Sequence, residues 1–401
     1  MLNFELYNPV KIVFGPGESS KTGMYAAQYG KKAMLVTYEQ HDFFNQLLEK
    51  LYKSFEDAGV EVVQFYKIKP NPRLSDIRQA VEICRKENVD VVVALGGGSV
   101  MDSVKIIAAG ALYKDDVWKM FVSRHDVEVA VPPTETLPTI LIPTKSATSS
   151  ESNCIAVATN DETHEKAYVW TPVIFAKVAI MDPELTATLP PFQTAAGAVD
   201  AISHVLEAYL NGDQNSPVQD RINEGLITAV MDLLKNILKN PDDMQARASL
   251  QWAATLTWNG YLQSGLNAPT PCHQIGHVLS ALYDIDHGVT LAVVMPAFFK
   301  YTAHLNDERA ARFAELGNRV FGISRDGRKD IEVAEEFINK FEGFIKEVGV
   351  PTKFSEVNIP KEDLDKIADD VVRLGCNAQG ELPSIPPIKR DGLMQILKLA
   401  Y

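Results

Sequence analysis

Cysteine is scarce in this chain, and its scarcity excludes two architectures. Four cysteines occur in 401 residues, and Cys84, Cys154, Cys272 and Cys376 are far apart with no Cys-x-x-Cys pair. Neither a disulfide framework nor a thiolate zinc site is encoded, and reduced thiols are expected. Excess positive charge is also missing. The formal net charge is -13, which repels nucleic acid and anionic membranes, so no polynucleotide partner is expected. Although 46% of the residues are hydrophobic, no run is long and apolar enough to span a bilayer. The stretch Met1 to Gly15 has no basic region followed by an apolar core and a small-residue cleavage site, so a cytoplasmic location is expected. Internal repeats, low-complexity tracts and long flexible linkers are absent. The length and apolar content that remain suit two domains with substantial cores.

The periodicity changes partway along the chain. Up to about residue 185, short β-branched runs alternate with amphipathic helical stretches, the pattern of βαβ units around a doubly wound, mostly parallel sheet. Expected strands are Lys11–Phe14, Ala33–Thr37, Glu61–Phe65, Asp90–Leu95, Thr139–Ile142 and Val178–Met181. Several are apolar throughout, as strands buried on both faces should be. Expected helices between them include Phe43–Ala58 and Ser75–Lys86. After Leu189-Pro190-Pro191, apolar positions recur at helical spacing almost to the end, in Asp220–Leu238, Met244–Ser264, Ile331–Val348 and Lys361–Leu374. The expected division is therefore an α/β domain over 1–185 and an all-α domain over 186–401.

Val91-Val92-Val93-Ala94-Leu95 runs into Gly96-Gly97-Gly98-Ser99 and then into a helical stretch, Ser103–Ala111. A strand, glycine turn and helix in that order bring backbone N–H groups and a helix N-terminus close to an anion such as a pyrophosphate. The spacing is not the GxGxxG fingerprint, and a plain tight βα connection is the alternative reading.

Histidine is rare but concentrated. Of eight in the chain, four, namely His204, His273, His277 and His287, fall within one interval. Asp200 and His204 stand four apart in the helical stretch Gln193–Leu210, so both project from one face, and His273 and His277 repeat that spacing. Three imidazoles and a carboxylate suit Fe2+, Zn2+, Ni2+ or Co2+ better than Mg2+ or Ca2+. A satisfied core histidine is the commoner fate of any one of them, but two pairs joined by Asp286-His287-Gly288 favour a metal. Cys272 beside His273 diverges from it by about 100° on a helix and is read as packing.

Taken together, Pro70-Asn71-Pro72, Gly96-Gly97-Gly98-Ser99 with Asp102, Ser146-Ala147-Thr148-Ser149-Ser150-Glu151, Gly197 through Asp200 to His204, Trp252-Ala253-Ala254-Thr255 with Asn259-Gly260, and His273 through Asp286-His287-Gly288 resemble the iron-containing, or group III, alcohol dehydrogenases. Within that family they are similar to the butanol dehydrogenase and broad aldehyde reductase branch, over essentially the whole chain. The resemblance implies an N-terminal dinucleotide-binding α/β domain and an all-helical metal domain, assembled as a homodimer. It implies Fe2+, or alternatively Zn2+, on Asp200, His204, His273 and His287, with His277 lining the same pocket; as an imidazole that titrates near working pH, His277 is a candidate proton relay, a structural role being the alternative. It implies cofactor contacts at Asn71, Gly97, Gly98, Ser99, Asp102, Thr144, Thr148, Asn153 and Lys166, the bland reading of Lys166 being a solvated surface lysine. The implied reaction moves a hydride between a nicotinamide cofactor and a small alcohol or aldehyde whose oxygen the metal polarises.

Two departures from the family pattern stand out. After the second strand relatives often carry Gly-Gly-Gly-Ser, whereas this chain has Tyr38-Glu39-Gln40-His41. An acidic residue there hydrogen-bonds the ribose 2'-hydroxyl and repels a 2'-phosphate, so Tyr38 and Glu39 become cofactor candidates and NAD(H) is favoured over NADP(H), the alternatives being that Glu39 points to solvent and that Tyr38 stacks on adenine and admits both nucleotides. Lys145 is the second departure, in a loop that is usually threonine- and glycine-rich. The substrate side is expected to offer Trp258, Leu262, Leu266 and Cys272. A lyase of the dehydroquinate synthase type, acting on a polyanionic phosphorylated substrate, is the rival enzyme on this architecture. It wants several Lys or Arg near the metal, and segments 195–210 and 258–282 contain none. A non-catalytic binding protein is the other rival, and it would be expected to have lost a ligand.

Overall fold

The computed structural model describes residues 1–39, 44–122, 130–212 and 216–401. Gln40, His41 and Phe43 of the sequence expectations lie outside the described residues. The chain forms two compact units, Tyr7–Leu189 with Asp242–Thr255, and Met1–Leu6 with Pro190–Pro241 and Leu256–Tyr401.

The first unit is built on a parallel sheet. Its elements in chain order are β1 (Lys11–Phe14), α1 (Thr22–Ala26), β2 (Lys32–Tyr38), α2 (Asn45–Asp57), β3 (Glu61–Ile68), α3 (Leu74–Lys86), β4 (Val91–Gly96), α4 (Gly98–Leu112), β5 (Thr139–Pro143), β6 (Ile155–Asn160), β7 (Glu165–Trp170) and β8 (Val178–Met181). Six strands pair in the order β1-β8-β5-β4-β2-β3, all parallel. Strand periodicity divides their side chains between two cores. Met34, Val36, Val92 and Ala94 join α3 and α4 in one, while Ala33, Leu35, Val91, Val93 and Leu95 join α1 and α2 in the other. That is why β4, β5 and β8 read as unbroken apolar runs. The carboxyl ends of β2, β4 and β5 lie side by side, the position where open α/β sheets bind ligands. One element escaped the sequence reading, an antiparallel ribbon of β6 and β7 that pairs Ile155 with Trp170 and Asn160 with Glu165.

The second unit is helical: α5 (Pro191–Asn211), α6 (Pro217–Lys239), α8 (Pro271–Tyr283), α9 (His287–Ala303), α10 (Asp307–Phe321), α11 (Asp330–Glu347), α12 (Leu364–Gly375) and α13 (Arg390–Ala400). Proline at the first helical position starts α5, α6 and α8, where its missing N–H costs nothing. From Thr194 onward α5 is buried on every side, which makes it the central helix. Rings of Phe299, Phe313, Phe337 and Phe341 pack with centroids 5.5–6.2 Å apart, and buried Arg312 grips Asp220 bidentately at 2.6 and 2.8 Å, tying α10 to α6. Among the described residues no helix is long and apolar enough to cross a membrane.

Helix α7 (Met244–Thr257) differs from expectation in two ways. It stops at Thr257 rather than Ser264, because Gly260 adopts a positive φ of 95° that no α-helix continues through. Residues Asp242–Thr255 also group with the sheet unit. Arg247 donates to the Thr186 carbonyl at 2.6 Å, Gln251 to the Pro143 carbonyl at 3.3 Å, and Thr255 to the Glu151 carboxylate at 2.6 Å.

Candidate active site

In the helical unit three helices deliver the expected metal residues to one spot. Helix α5 supplies Asp200 and His204 from adjacent turns of one face. His273 stands in the first turn of α8, and His287 opens α9, whose start is fixed by Asp286 accepting the Gly288 N–H at 3.0 Å. Donor atoms of Asp200, His204 and His273, all buried, lie within 4.8 Å of one another. His204 Nε2 and His287 Nε2 are 3.8 and 3.9 Å from Asp200 Oδ1. Two donors that share one ion through bonds of roughly 2.1 Å stand at most about 4.2 Å apart, so the 3.8 and 3.9 Å separations fit an ion and are too long for hydrogen bonds, whereas the widest separation in the trio, up to 4.8 Å, needs the side chains to draw in on binding. The His204 and His273 rings stack at 4.8 Å, and His273 and His287 meet edge to face at 5.2 Å. Burial, reinforced by His273, holds His204 well below the ordinary histidine pKa, so it presents a neutral lone pair. His277 is half-buried, with its ring 5.3 Å from that of His287.

Close approach of α9 to α5 makes this convergence possible. A Cβ on Gly288 would stand 2.1 Å from the Ala196 carbonyl oxygen. Glu207, which the sequence reading passed over, is fully buried on α5 and contacts His273 Nδ1 through its carboxylate. Its signal was present as a glutamate seven residues after Asp200, the only other acidic residue in a helix without Lys or Arg, on the face that carries the ligands.

The expected substrate side is only partly assembled. Trp258 packs its ring 5.3 Å from that of His204. Leu262 is buried. Leu266 stands beside Gly212, eight residues beyond His204 and so roughly 12 Å along the helix axis. Cys272 is fully buried and its N–H donates to Glu207 at 2.6 Å; it packs, as its helical position implied, and does not line the site.

In the sheet unit the glycine turn sits where β4 becomes α4, and the helix begins at Gly98, five residues before the expected start at Ser103. Val100 and Met101 N–H bond the Gly97 carbonyl at 3.0 and 3.1 Å, while Gly98 and Ser99 N–H are first-turn donors with no acceptor among the described residues. A Cβ on Gly98 would meet Thr148 Cγ2 at 2.7 Å, so only glycine leaves that cradle open. These features fit a phosphate group. Tyr38 reaches across from β2, and its hydroxyl accepts the Gly97 N–H at 3.0 Å. Glu39 is exposed, with Lys69 at 3.9 Å, and Lys145 is half-buried beside Gly97.

Around this turn several expected contacts serve as braces. Both Asp102 oxygens are engaged, by Ser150 Oγ at 2.5 Å and Val157 N–H at 3.0 Å. Asn153 accepts from Lys105 and Ile155 and donates to the Thr148 carbonyl, and buried Thr144 ties its N–H to Gly96 at 3.1 Å. Lys166 is not the solvated surface lysine of the bland reading. It is buried and donates to Asn71 Oδ1 at 2.9 Å, and Asn71 is held left-handed at φ 54°.

Lys105, a residue absent from the sequence reading, is the hub beneath the loop. It is fully buried and donates to Ser150 at 2.9 Å, Asn153 at 3.1 Å and the Ile155 carbonyl at 2.8 Å. Burial pushes its pKa down to about 8, against the opposing pull of Asp102. Lys105→Ala is expected to cost roughly 3–5 kcal/mol, because it takes a donor from Ser150 Oγ, Asn153 Oδ1 and the Ile155 carbonyl and removes a cation close to the Asp102 carboxylate. Urea unfolding measures this, and a loss below 1 kcal/mol would refute the hub.

The comparisons with known proteins agree with this geometry. The model of the iron-containing alcohol dehydrogenase matches residues 9–183, and that of the C-terminal domain of the Fe-containing alcohol dehydrogenase family matches residues 194–401. The NADH-dependent butanol dehydrogenase A of Clostridium acetobutylicum is 35% identical over 401 residues, 100% of both chains. The NADPH-dependent aldehyde reductase YqhD of Escherichia coli is 31% identical over 389 residues, 95% of this chain and 96% of that protein. The crystal structure of an NADH-dependent butanol dehydrogenase A from Thermotoga maritima superposes with a TM-score of 0.92 at 39% identity, covering 100% of this chain and 99% of that one. With the two family models matching residues 9–183 and 194–401 and relatives above 30% identical along nearly the whole chain, the chain belongs to the iron-containing alcohol dehydrogenase family, in its butanol dehydrogenase and aldehyde reductase branch, and is an NAD(P)-linked oxidoreductase.

Proposed function

We propose that the protein interconverts small, mostly unbranched aldehydes and primary alcohols, with Asp200, His204, His273 and His287 holding one divalent cation. The observation that carries this reading is the convergence of Asp200, His204 and His273 donor atoms within 4.8 Å. Fe2+ is the proposed ion and Zn2+ the alternative, since the nitrogen and oxygen donors suit both. Once bound, the cation supplies Lewis acidity toward the substrate oxygen, and the dinucleotide gives or takes the hydride.

This chain's own residues do the rest. Gly97, Gly98 and Ser99 provide the phosphate cradle, flanked by Tyr38, Asn71, Thr148 and Lys166 and braced by Asp102, Thr144 and Asn153. Trp258 gives an apolar wall beside His204. The lack of Lys and Arg in 195–210 and 258–282 favours a neutral substrate over the polyanion of the rival lyase. Neither that reading nor a non-catalytic one gains support from the relatives. His277 is proposed to relay a proton, because an imidazole titrates near working pH; His277→Ala should then alter the pH profile of turnover while keeping the metal. A substrate screen tests the class. Butanal and its neighbours should be turned over, and activity confined to sugar phosphates or dicarboxylates would remove the proposal.

NAD(H) is the proposed preference, supported by the carboxylate of Glu39 just past β2. As Glu39 is exposed and near Lys69, its repulsion of a 2'-phosphate is screened, and a preference of about tenfold in kcat/KM is expected. Glu39→Gly should erase it. A wild-type preference for NADPH, or an unchanged preference in the variant, would show that Glu39 does not select the nucleotide. A cytoplasmic homodimer is proposed as well, the dimer supported by exposed Leu2, Phe4 and Leu6 and checked by light scattering.

A further inference from the structure

We propose that Glu207 is a positioning residue for the metal centre: its carboxylate fixes the tautomer and orientation of His273, and no amide can replace it. This rests on the metal reading above.

Helix α5 carries Asp200, His204 and Glu207 on one face, and Glu207 is fully buried in segments that hold no Lys or Arg. A carboxylate so placed must be satisfied by hydrogen-bond donors or it costs several kcal/mol. Two donors converge on it. Oε1 accepts the N–H of Cys272 at 2.6 Å, a donor that the first turn of α8 leaves without an intrahelical acceptor. Oε2 meets Nδ1 of His273. An imidazole that donates through Nδ1 carries its lone pair on Nε2, so Glu207 decides which nitrogen of His273 is available to a cation.

The chemistry is specific to a carboxylate. Glutamine is nearly isosteric but has one oxygen and one NH2 group. If its oxygen accepts from Cys272, the NH2 group faces His273 Nδ1, which must then become the acceptor and carry its proton on Nε2. If the amide turns over, the NH2 group opposes the Cys272 N–H, donor against donor. Either arrangement weakens the site while its shape and packing are conserved.

The test compares wild-type and E207Q protein by two readouts that need no turnover. The first is the nitrogen chemical shifts of His273 in metal-free protein, which report the tautomer. The second is Co2+ affinity from chelator competition. Wild-type His273 should be protonated on Nδ1, E207Q should shift the proton to Nε2, and Co2+ affinity should fall by about 10- to 100-fold. Wild-type protein with the proton on Nε2 overturns the proposal even if E207Q fails to fold. So does E207Q with wild-type tautomer and affinity. Wild-type protein that binds no Co2+, Zn2+ or Fe2+ removes the metal reading itself, a result distinct from tight binding that is indifferent to position 207.

Discussion

His273→Ala is expected to abolish stable metal binding and to lower turnover by about three orders of magnitude. His273 occupies the centre of the cluster: its ring stacks on His204 and meets His287 and His277 edge to face. Its removal takes one donor from a set whose remaining members come from two separate helices. It also leaves the buried Glu207 carboxylate with one hydrogen-bond donor fewer. A Lewis acid at a reacting oxygen supplies several kcal/mol of transition-state stabilisation, and each 1.4 kcal/mol is about tenfold in rate. Dinucleotide affinity should change little, because the glycine turn proposed to hold the phosphates lies wholly within the sheet unit. Metal content by atomic spectroscopy, turnover with butanal and NADH titration separate these effects. Full metal occupancy with normal turnover would refute the ligand assignment.

Gly288→Ala should be the most disruptive of the one-carbon changes near the site. A Cβ there would stand 2.1 Å from the oxygen and 2.8 Å from the carbonyl carbon of Ala196, and both are backbone atoms of the central, buried helix α5. Neither can rotate away, so α9 must lift from α5 and carry the adjacent His287 away from Asp200. Overpacking of this kind costs about 3 kcal/mol or more, and metal binding should weaken with it. Gly276→Ala is the control. Its Cβ would meet Thr290 Oγ1 at 2.8 Å, a side-chain atom that can shift at the cost of its 2.7 Å bond to the His287 carbonyl, so a smaller loss is expected than where backbone must move. Urea unfolding of the metal-free proteins gives the comparison, and equal stability of G288A and wild type would show that the α5–α9 approach is not constrained as described.

Much of this molecule was legible in its sequence because periodicity reports burial directly. The all-apolar runs at β4, β5 and β8 announced strands covered on both faces, and the spacing of Asp200 and His204 announced a shared helix face. What escaped has physical causes. The ribbon β6–β7 lies outside the main sheet; β6 does carry an apolar run, Ile155-Ala156-Val157-Ala158, but its partner opens on Glu165-Lys166, so nothing marked the pair as a hairpin. Helix α7 was read too long because its apolar spacing continues past Thr257, while Gly260 takes a positive φ that a single glycine does not reveal in advance. Residues 242–255 look helical in sequence, as they are, but which unit they join is decided by bonds from Arg247, Gln251 and Thr255 to distant segments. Lys105 and Glu207 were overlooked for a shared reason. Charged residues on a helix are usually solvated, and only the surrounding apolar positions hinted that these two are buried. Asp102 and Asn153 illustrate the converse, since a motif position implied contact with the cofactor and the structure engages their polar atoms in holding the loop.

Metal-dependent hydride exchange with a small carbonyl compound is measured by following NADH and NADPH oxidation with butanal in Fe2+-loaded and metal-stripped protein. Aldehyde-dependent oxidation is expected in the loaded protein, with butanol formed in equal amount, and it should be lost on stripping and return on reloading. Folded, fully metal-loaded protein that oxidises neither nucleotide in the presence of butanal or other short aldehydes, or oxidation that survives complete removal of the metal, would contradict metal-dependent hydride exchange.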